Sequence, residues 1–268
     1  MSLKPKKFLP VIVVGAAALF LAACSQSAPV SKDAPAAAAS SSTPTAQPVK
    51  KTGAPAPLAF NASGFFAGNA QPTFPAGEPG KVAVVAEGPL TKDSTGSAEM
   101  TFAYRNNTDK AIAHVDFTAM ASAGGKLVGT GKSQSTQPAQ VKPGEAGLGM
   151  IYFEDANSIP ATGVTYAFTV TTMAADTSSY NTAPVQITQS SNNGTSIIGA
   201  ATNKTGKMIT GPYEVDTYCF NGGNLASYFS AFGDQDGDVA PNGTVSFTSD
   251  MYDTQCPTWA TAVSGYFK

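Results

Sequence analysis

Few side chains in this 268-residue sequence are equipped for chemistry: one histidine, His114, one arginine, Arg105, and three cysteines, Cys24, Cys219 and Cys256. A single imidazole excludes an H-E-x-x-H zinc site and any multi-histidine copper site. Residues 58–268 contain neither a G-x-S-x-G elbow nor an S-x-x-K pair, the spacings that activate a serine. His114 sits beside Asp116, on the side of a strand opposite Val115 and Phe117, where a solvated histidine is expected. Glu154 and Asp155 could exchange protons as a pair, but they follow the run Met150–Phe153 and are read as a strand end. Asp234-Gln235-Asp236-Gly237-Asp238 places carboxylates at alternate positions beside a glycine, as calcium loops do. The glycine precedes the third aspartate and no glutamate stands twelve positions from the first, so an acidic hairpin tip competes with a calcium site at Asp234, Asp236 and Asp238. No other cofactor is expected, and the chain does not read as an enzyme.

Charge narrows the partners. Only 13% of residues are charged and the formal net charge is −2, against about 25% charged in an average soluble domain. A nucleic-acid binder needs a basic face that one arginine and this balance do not supply.

The N-terminal residues address the chain to a compartment. Lys4, Lys6 and Lys7 precede an apolar stretch from Phe8 to Leu21, which is shorter than the roughly 20 residues a spanning helix needs and reads as a secretion signal over 1–23. The stretch ends in Leu21-Ala22-Ala23-Cys24, which resembles the lipobox of bacterial lipoproteins. That resemblance implies cleavage before Cys24 and acylation of its thiol, so the chain would be held to a membrane by lipid. Ser25, where an aspartate would stand for inner-membrane retention, favours the outer membrane if the cell is Gram-negative; the lipobox also serves Gram-positive cells. Loss of the three lysines with the signal moves the net charge from −2 to −5, so acyl chains and not electrostatics must provide the hold, at about 0.8 kcal/mol per buried methylene.

Residues 25–57 are almost all Ala, Pro, Ser, Thr, Gln and Lys, with no aromatic residue and no hydrophobic period. Such a segment cannot bury enough surface to offset its ordering entropy. With Cys24 it is expected to form a disordered tether over 24–57, at most about 110 Å long when stretched.

From residue 58 onward the pattern is short alternation bounded by Gly, Pro, Asn and Asp, which specifies an all-β protein. Met100, Phe102 and Tyr104 alternate with Glu99, Thr101 and Arg105; Val115, Phe117 and Ala119 with His114, Asp116 and Thr118. Tyr166, Phe168 and Val170 alternate with Ala167 and Thr169; Val245 and Phe247 with Ser246 and Thr248. Each is expected to have one dry and one wet face.

The pattern also repeats. RNNTDKAI (Arg105–Ile112) aligns with TNKTGKMI (Thr202–Ile209), GGKL (Gly124–Leu127) with GGNL (Gly222–Leu225), and the segment around Pro143 with that around Pro241, at offsets of 97 and 98. Three blocks in the same order indicate a tandem duplication. Turn signals at this spacing suit two immunoglobulin-like β-sandwiches, over 58–175 and 185–268, joined by a short polar hinge at Ala174–Pro184. The N-N-T-x-K turn, the later G-G-K/N-L and the P-G or P-N-G before an alternating strand resemble FxLYD-type domains of secreted bacterial proteins. The resemblance covers roughly 98–155 and 196–266. It implies an extracellular module with no catalytic residues.

With Cys24 lipidated, Cys219 and Cys256 remain as an even pair in an oxidising compartment, where a structural disulfide is expected. A redox pair would be spaced C-x-x-C, and two thiols without histidine make a poor metal site. Trp259 is expected to pack near the bridge. Phe60, Phe65, Phe66 and Phe74 are read as a strand closing the first sandwich, the rival reading being an exposed aromatic patch. The chain is therefore expected to be a non-catalytic envelope lipoprotein that binds or scaffolds a protein partner. A glycan-binding module using the aromatic segment is the alternative, and a calcium-stabilised adhesion-type protein stands behind both.

Overall fold

The computed structural model describes residues 53–252 and 254–268. The expected signal sequence, Cys24 and the tether as far as residue 52 lie outside the described residues.

Every regular element among the described residues is a strand: β1 (Ala67–Gly68), β2 (Val82–Lys92), β3 (Ala98–Asn106), β4 (Ile112–Ala123), β5 (Lys126–Gln137), β6 (Gln140–Val141), β7 (Ala146–Phe153), β8 (Val164–Ala174), β9 (Thr182–Asn192), β10 (Ser196–Thr202), β11 (Ile209–Asn221), β12 (Asn224–Phe232), β13 (Thr244–Asp250) and β14 (Thr258–Phe267). The all-β expectation is met, and the strands form two sheets consistent with two β-sandwiches. β2–β8 form the first and β9–β14 the second, and the pairings correspond. β3 lies between β2 and β7 as β10 lies between β9 and β13, while β4 pairs with β5 and β8 as β11 pairs with β12 and β14.

The two copies close on opposite edges. In the first, β5 pairs with β4 through its N-terminal half and with β7 through Lys132–Gln137, so it bends from one layer into the other. In the second, β9 makes that crossing, pairing with β14 over Thr182–Val185 and with β10 over Gln186–Asn192.

The aligned turns match bond for bond. Asn106 donates Nδ2 to Lys110 O at 2.8 Å and to Val141 O at 2.9 Å, and its Oδ1 accepts from the Thr108 hydroxyl at 2.6 Å. Asn203 donates to Lys207 O at 2.7 Å and Val239 O at 3.0 Å and accepts from Thr205 at 2.6 Å. One amide thus satisfies backbone groups that a tight turn would otherwise leave unpaired. The Gly124-Gly125 and Gly222-Gly223 pairs all have positive φ, the backbone a two-residue hairpin needs to follow the twist of its strands.

Each sandwich has its own core. Met100, Phe102, Tyr104, Phe117 and Phe153 fill the first; Tyr213, Val215, Val245, Phe247 and Phe267 fill the second. The Cys219–Cys256 disulfide lies in the second core with Cα atoms 5.3 Å apart, and Trp259 sits directly opposite Cys219 in the β11–β14 ladder.

A third core joins the sandwiches. The outer face of the β2-β3-β7 layer packs on the outer face of the β12-β11-β14 layer through Ala103 and Leu148 on one side and Tyr218, Phe220, Leu225, Ala260 and Ala262 on the other. Four sheet layers therefore enclose three cores. This corrects the expectation for β3: Thr101 and Arg105, read as wet, are 4% and 2% exposed, and only Glu99 of that row stays in water. The hinge expected at Ala174–Pro184 is tied down as well. Gln140 Nε2 donates to Asp176 O and Thr182 O, and Thr182 donates its hydroxyl to Ala139 O.

The N-terminal segment does not close the first sandwich. Its one short strand, β1, pairs with β14 of the second, Ala67 opposite Thr261 and Gly68 opposite Ala260. A side chain at Gly68 would collide with the backbone oxygen of Trp259, so only glycine fits this approach. Phe60, Phe66 and Phe74 enter the third core. Arg105 fastens the segment, donating to Leu58 O at 2.9 Å, Phe74 O at 3.3 Å, Pro75 O at 3.1 Å and Gly144 O at 2.7 Å.

Candidate functional site

Side chains at alternate positions of a strand share a face. On β11 that rule puts Tyr213, Val215, Thr217 and Cys219 toward the second core and Glu214, Asp216, Tyr218 and Phe220 toward the first sandwich. Two carboxyl groups are thereby carried into the joint between sandwiches, a placement that alternation alone does not reveal.

Asp216 is fully buried. Its Oδ2 accepts from the Ser135 hydroxyl and from Gln137 Nε2 at 2.9 Å, and its Oδ1 accepts from the Tyr228 hydroxyl. Gln137 Nε2 also donates to Ser264 Oγ at 3.0 Å. Ser135 and Gln137 belong to β5 of the first sandwich and the other groups to the second, so the carboxylate is the hub of a polar joint beside an apolar one. Burial raises the pKa of Asp216, and the three donors oppose that by favouring its anion. Glu214, half-buried beside it, is pushed up from 4.5 to about 8 by burial and then by the Asp216 charge, with the Ser135 hydroxyl pulling back. Both carboxyl groups are therefore shifted toward their protonated forms, and Asp216 is the one held by three protein donors.

Glu214 opens onto a cleft of about 280 Å³ whose walls come from both sandwiches and include His114, Asp116, Thr136, Phe232, Ser264 and Tyr266. His114 is not the ordinary strand histidine expected. Its φ is +46°, where the β4–β8 register slips between Ala113 and Asp116, and it is half-buried against this cleft. Such a bulge re-aims a side chain. One of the two carboxyl groups is sealed from any substrate and engaged by three protein donors, so the arrangement acts as a latch between layers.

The remaining candidates are dispersed. Glu154 and Asp155 are exposed, and Asp155 Oδ1 accepts from Asn157 N at 3.1 Å. Asp234, Asp236 and Asp238 are exposed and do not converge: among the described residues no three His, Cys, Asp or Glu side chains meet at a common point. Asp238 instead pairs with Lys268, whose ammonium holds its carboxyl below the usual range. Of the aromatic segment, Phe66 is buried in the third core, Phe60 and Phe74 are half-buried against it, and Phe65 is half-exposed outside it.

A second surface lies on the far side of the first sandwich. β8 pairs with β4 alone, and the facing layer ends in β2, so β2 and β8 border an open seam. Tyr166, Phe168 and Val170 of β8 and Val82, Val84 and Leu90 of β2 point into it and are only partly buried. A cleft of about 520 Å³ bounded by Pro89, Leu90, Pro160, Val164 and Tyr166 lies at one end.

No protein-family model matches this chain, and no curated protein matches it.

Proposed function

We propose that the protein is a non-catalytic lipoprotein of the bacterial cell envelope, held to a membrane by acyl chains on Cys24, whose paired sandwiches bind a protein partner. The observation that carries the binding reading is β8, an eleven-residue free edge, VTYAFTVTTMA, without a charged residue or a proline. Proteins ordinarily guard such edges with charges, prolines or bulges, because an open row of N–H and C=O groups templates another strand. Two of the other edges are guarded. β2 carries Glu87, Pro89, Lys92 and two register shifts, and β13 is shorter and ends in Asp250; β12 is likewise uncharged but is two residues shorter than β8. The non-catalytic part of the reading draws on the latch, where Asp216 is committed to structure. The burial of the sole arginine agrees with a partner that is not nucleic acid.

A photo-crosslinking residue at Thr169 of the full chain in native cells tests this. Capture of one stoichiometric envelope protein, or of a second copy of the chain, is expected, with Cys24→Ser abolishing recovery in the membrane fraction. Retention with cell-wall material and no captured protein would transfer the reading to glycan binding.

A further inference from the structure

We propose that β8 is a self-association edge, on which β8 of a second copy of this chain adds antiparallel across a two-fold axis. The inference rests on the protein-partner reading above and names the partner.

Three properties of the seam point to a second copy. A strand that pairs with its own copy brings its residues opposite one another, so any charge would meet its like; β8 carries none from Val164 to Ala174. An added strand must also supply apolar side chains on the core side only. β8 alternates in that way, with Tyr166, Phe168 and Val170 inward and Thr165, Ala167, Thr169 and Thr171 outward. Finally, the first core is unfinished along this border. Phe102 and Phe117 on the neighbouring strands are almost completely buried, yet Phe168, stacked on Phe102 at 6.4 Å, and Tyr166, 6.2 Å from Phe153, remain partly in water.

Antiparallel addition would extend the inward row across the axis, so each copy's Tyr166 and Phe168 would cover the other's. The outward threonines would form cross-strand pairs of the kind that stabilise sheets. The interface is isologous, using one patch twice, and therefore stops at two copies. Membrane anchoring would favour it further by raising the effective concentration of copies held in one plane.

The test is the mass of the full chain by light scattering and sedimentation across a concentration series in mild detergent, with amide hydrogen exchange over 164–174. Twice the chain mass is expected, with slow exchange in β8 appearing only as the dimer forms. Thr165→Lys/Thr169→Lys sets lysine opposite lysine in the pairing that brings Tyr166 over Phe168, on side chains that are exposed in the single chain, and should weaken association about 100-fold while leaving the circular dichroism unchanged. Ser246→Lys/Thr248→Lys, with the same charges on the outer face of β13, should remain dimeric. A wild-type chain that stays monomeric, or a dimer indifferent to the β8 lysines, overturns the proposal. A monomer that still crosslinks from Thr169 to a different protein overturns self-association and leaves the partner reading standing. A monomer that captures nothing removes both.

Discussion

Ser135 of the first sandwich donates its hydroxyl to Asp216 of the second, and that carboxylate has no contact with solvent. The bond joins strands from different repeats, so the polar latch exists only when the sandwiches are docked. Asp216→Ala removes the acceptor of Ser135, Gln137 and Tyr228 together. It should cost about 3 kcal/mol, because three buried donors would lose their acceptor. Trp259 is the only tryptophan and lies in the second core, so its emission follows that sandwich while far-ultraviolet circular dichroism follows both. During denaturant unfolding of the variant these signals should separate into two transitions. Coincident transitions at wild-type stability would refute the latch.

The raised pKa of Glu214 makes stability depend on pH. Its folded pKa, about 8, lies above its ordinary value of 4.5, so the folded state binds the proton more tightly than the unfolded chain. The contribution is complete below 4.5 and is lost as pH rises toward 8. Asp216 is shifted in the same direction. The urea midpoint should therefore fall across that window, and Glu214→Gln should flatten the fall. A wild-type midpoint that climbs through the window would contradict the assignment.

Arg105→Lys keeps a charge and loses a fork. A single ammonium cannot reach the carbonyls of Leu58, Phe74, Pro75 and Gly144 at once. A loss of about 2 kcal/mol is expected, together with faster amide exchange and earlier proteolysis across residues 58–75, measurable by mass spectrometry. An unchanged exchange pattern would mean that the aromatic contacts alone hold the segment.

Cys219→Ala/Cys256→Ala opens a loop with a sequence separation of 37. The chain-entropy account puts the loss at about 3–4 kcal/mol, read from the Trp259 emission midpoint. Ala121 occupies the place of Cys219 in the first repeat, so that sandwich should respond only through the shared joint.

The turns give a matched pair of substitutions, and they also mark how far the sequence could be read. Asn106→Ala and Asn203→Ala remove the same set of hydrogen bonds and should cost similar amounts, about 1–2 kcal/mol each, by denaturant titration. These asparagines, the paired glycines and the alternation of Met100, Phe102 and Tyr104 are local signals, and the duplication follows from them. The joint was not legible for a physical reason. A period of two separates the faces of a strand but does not say whether a polar face meets water or another polar face. Thr101, Arg105, Glu214 and Asp216 are the residues that this ambiguity conceals. β1 was hidden differently: two residues carry no period, and their partners lie about 190 positions away on β14.

The N-terminal segment determines how the molecule answers a pull. Because Arg105 grips it on one side and β14 pairs with it on the other, tension arriving from the N-terminal direction is shared between both sandwiches at their junction. Neither repeat can be drawn out first without straining the other, so the pair resists as one body held at its waist.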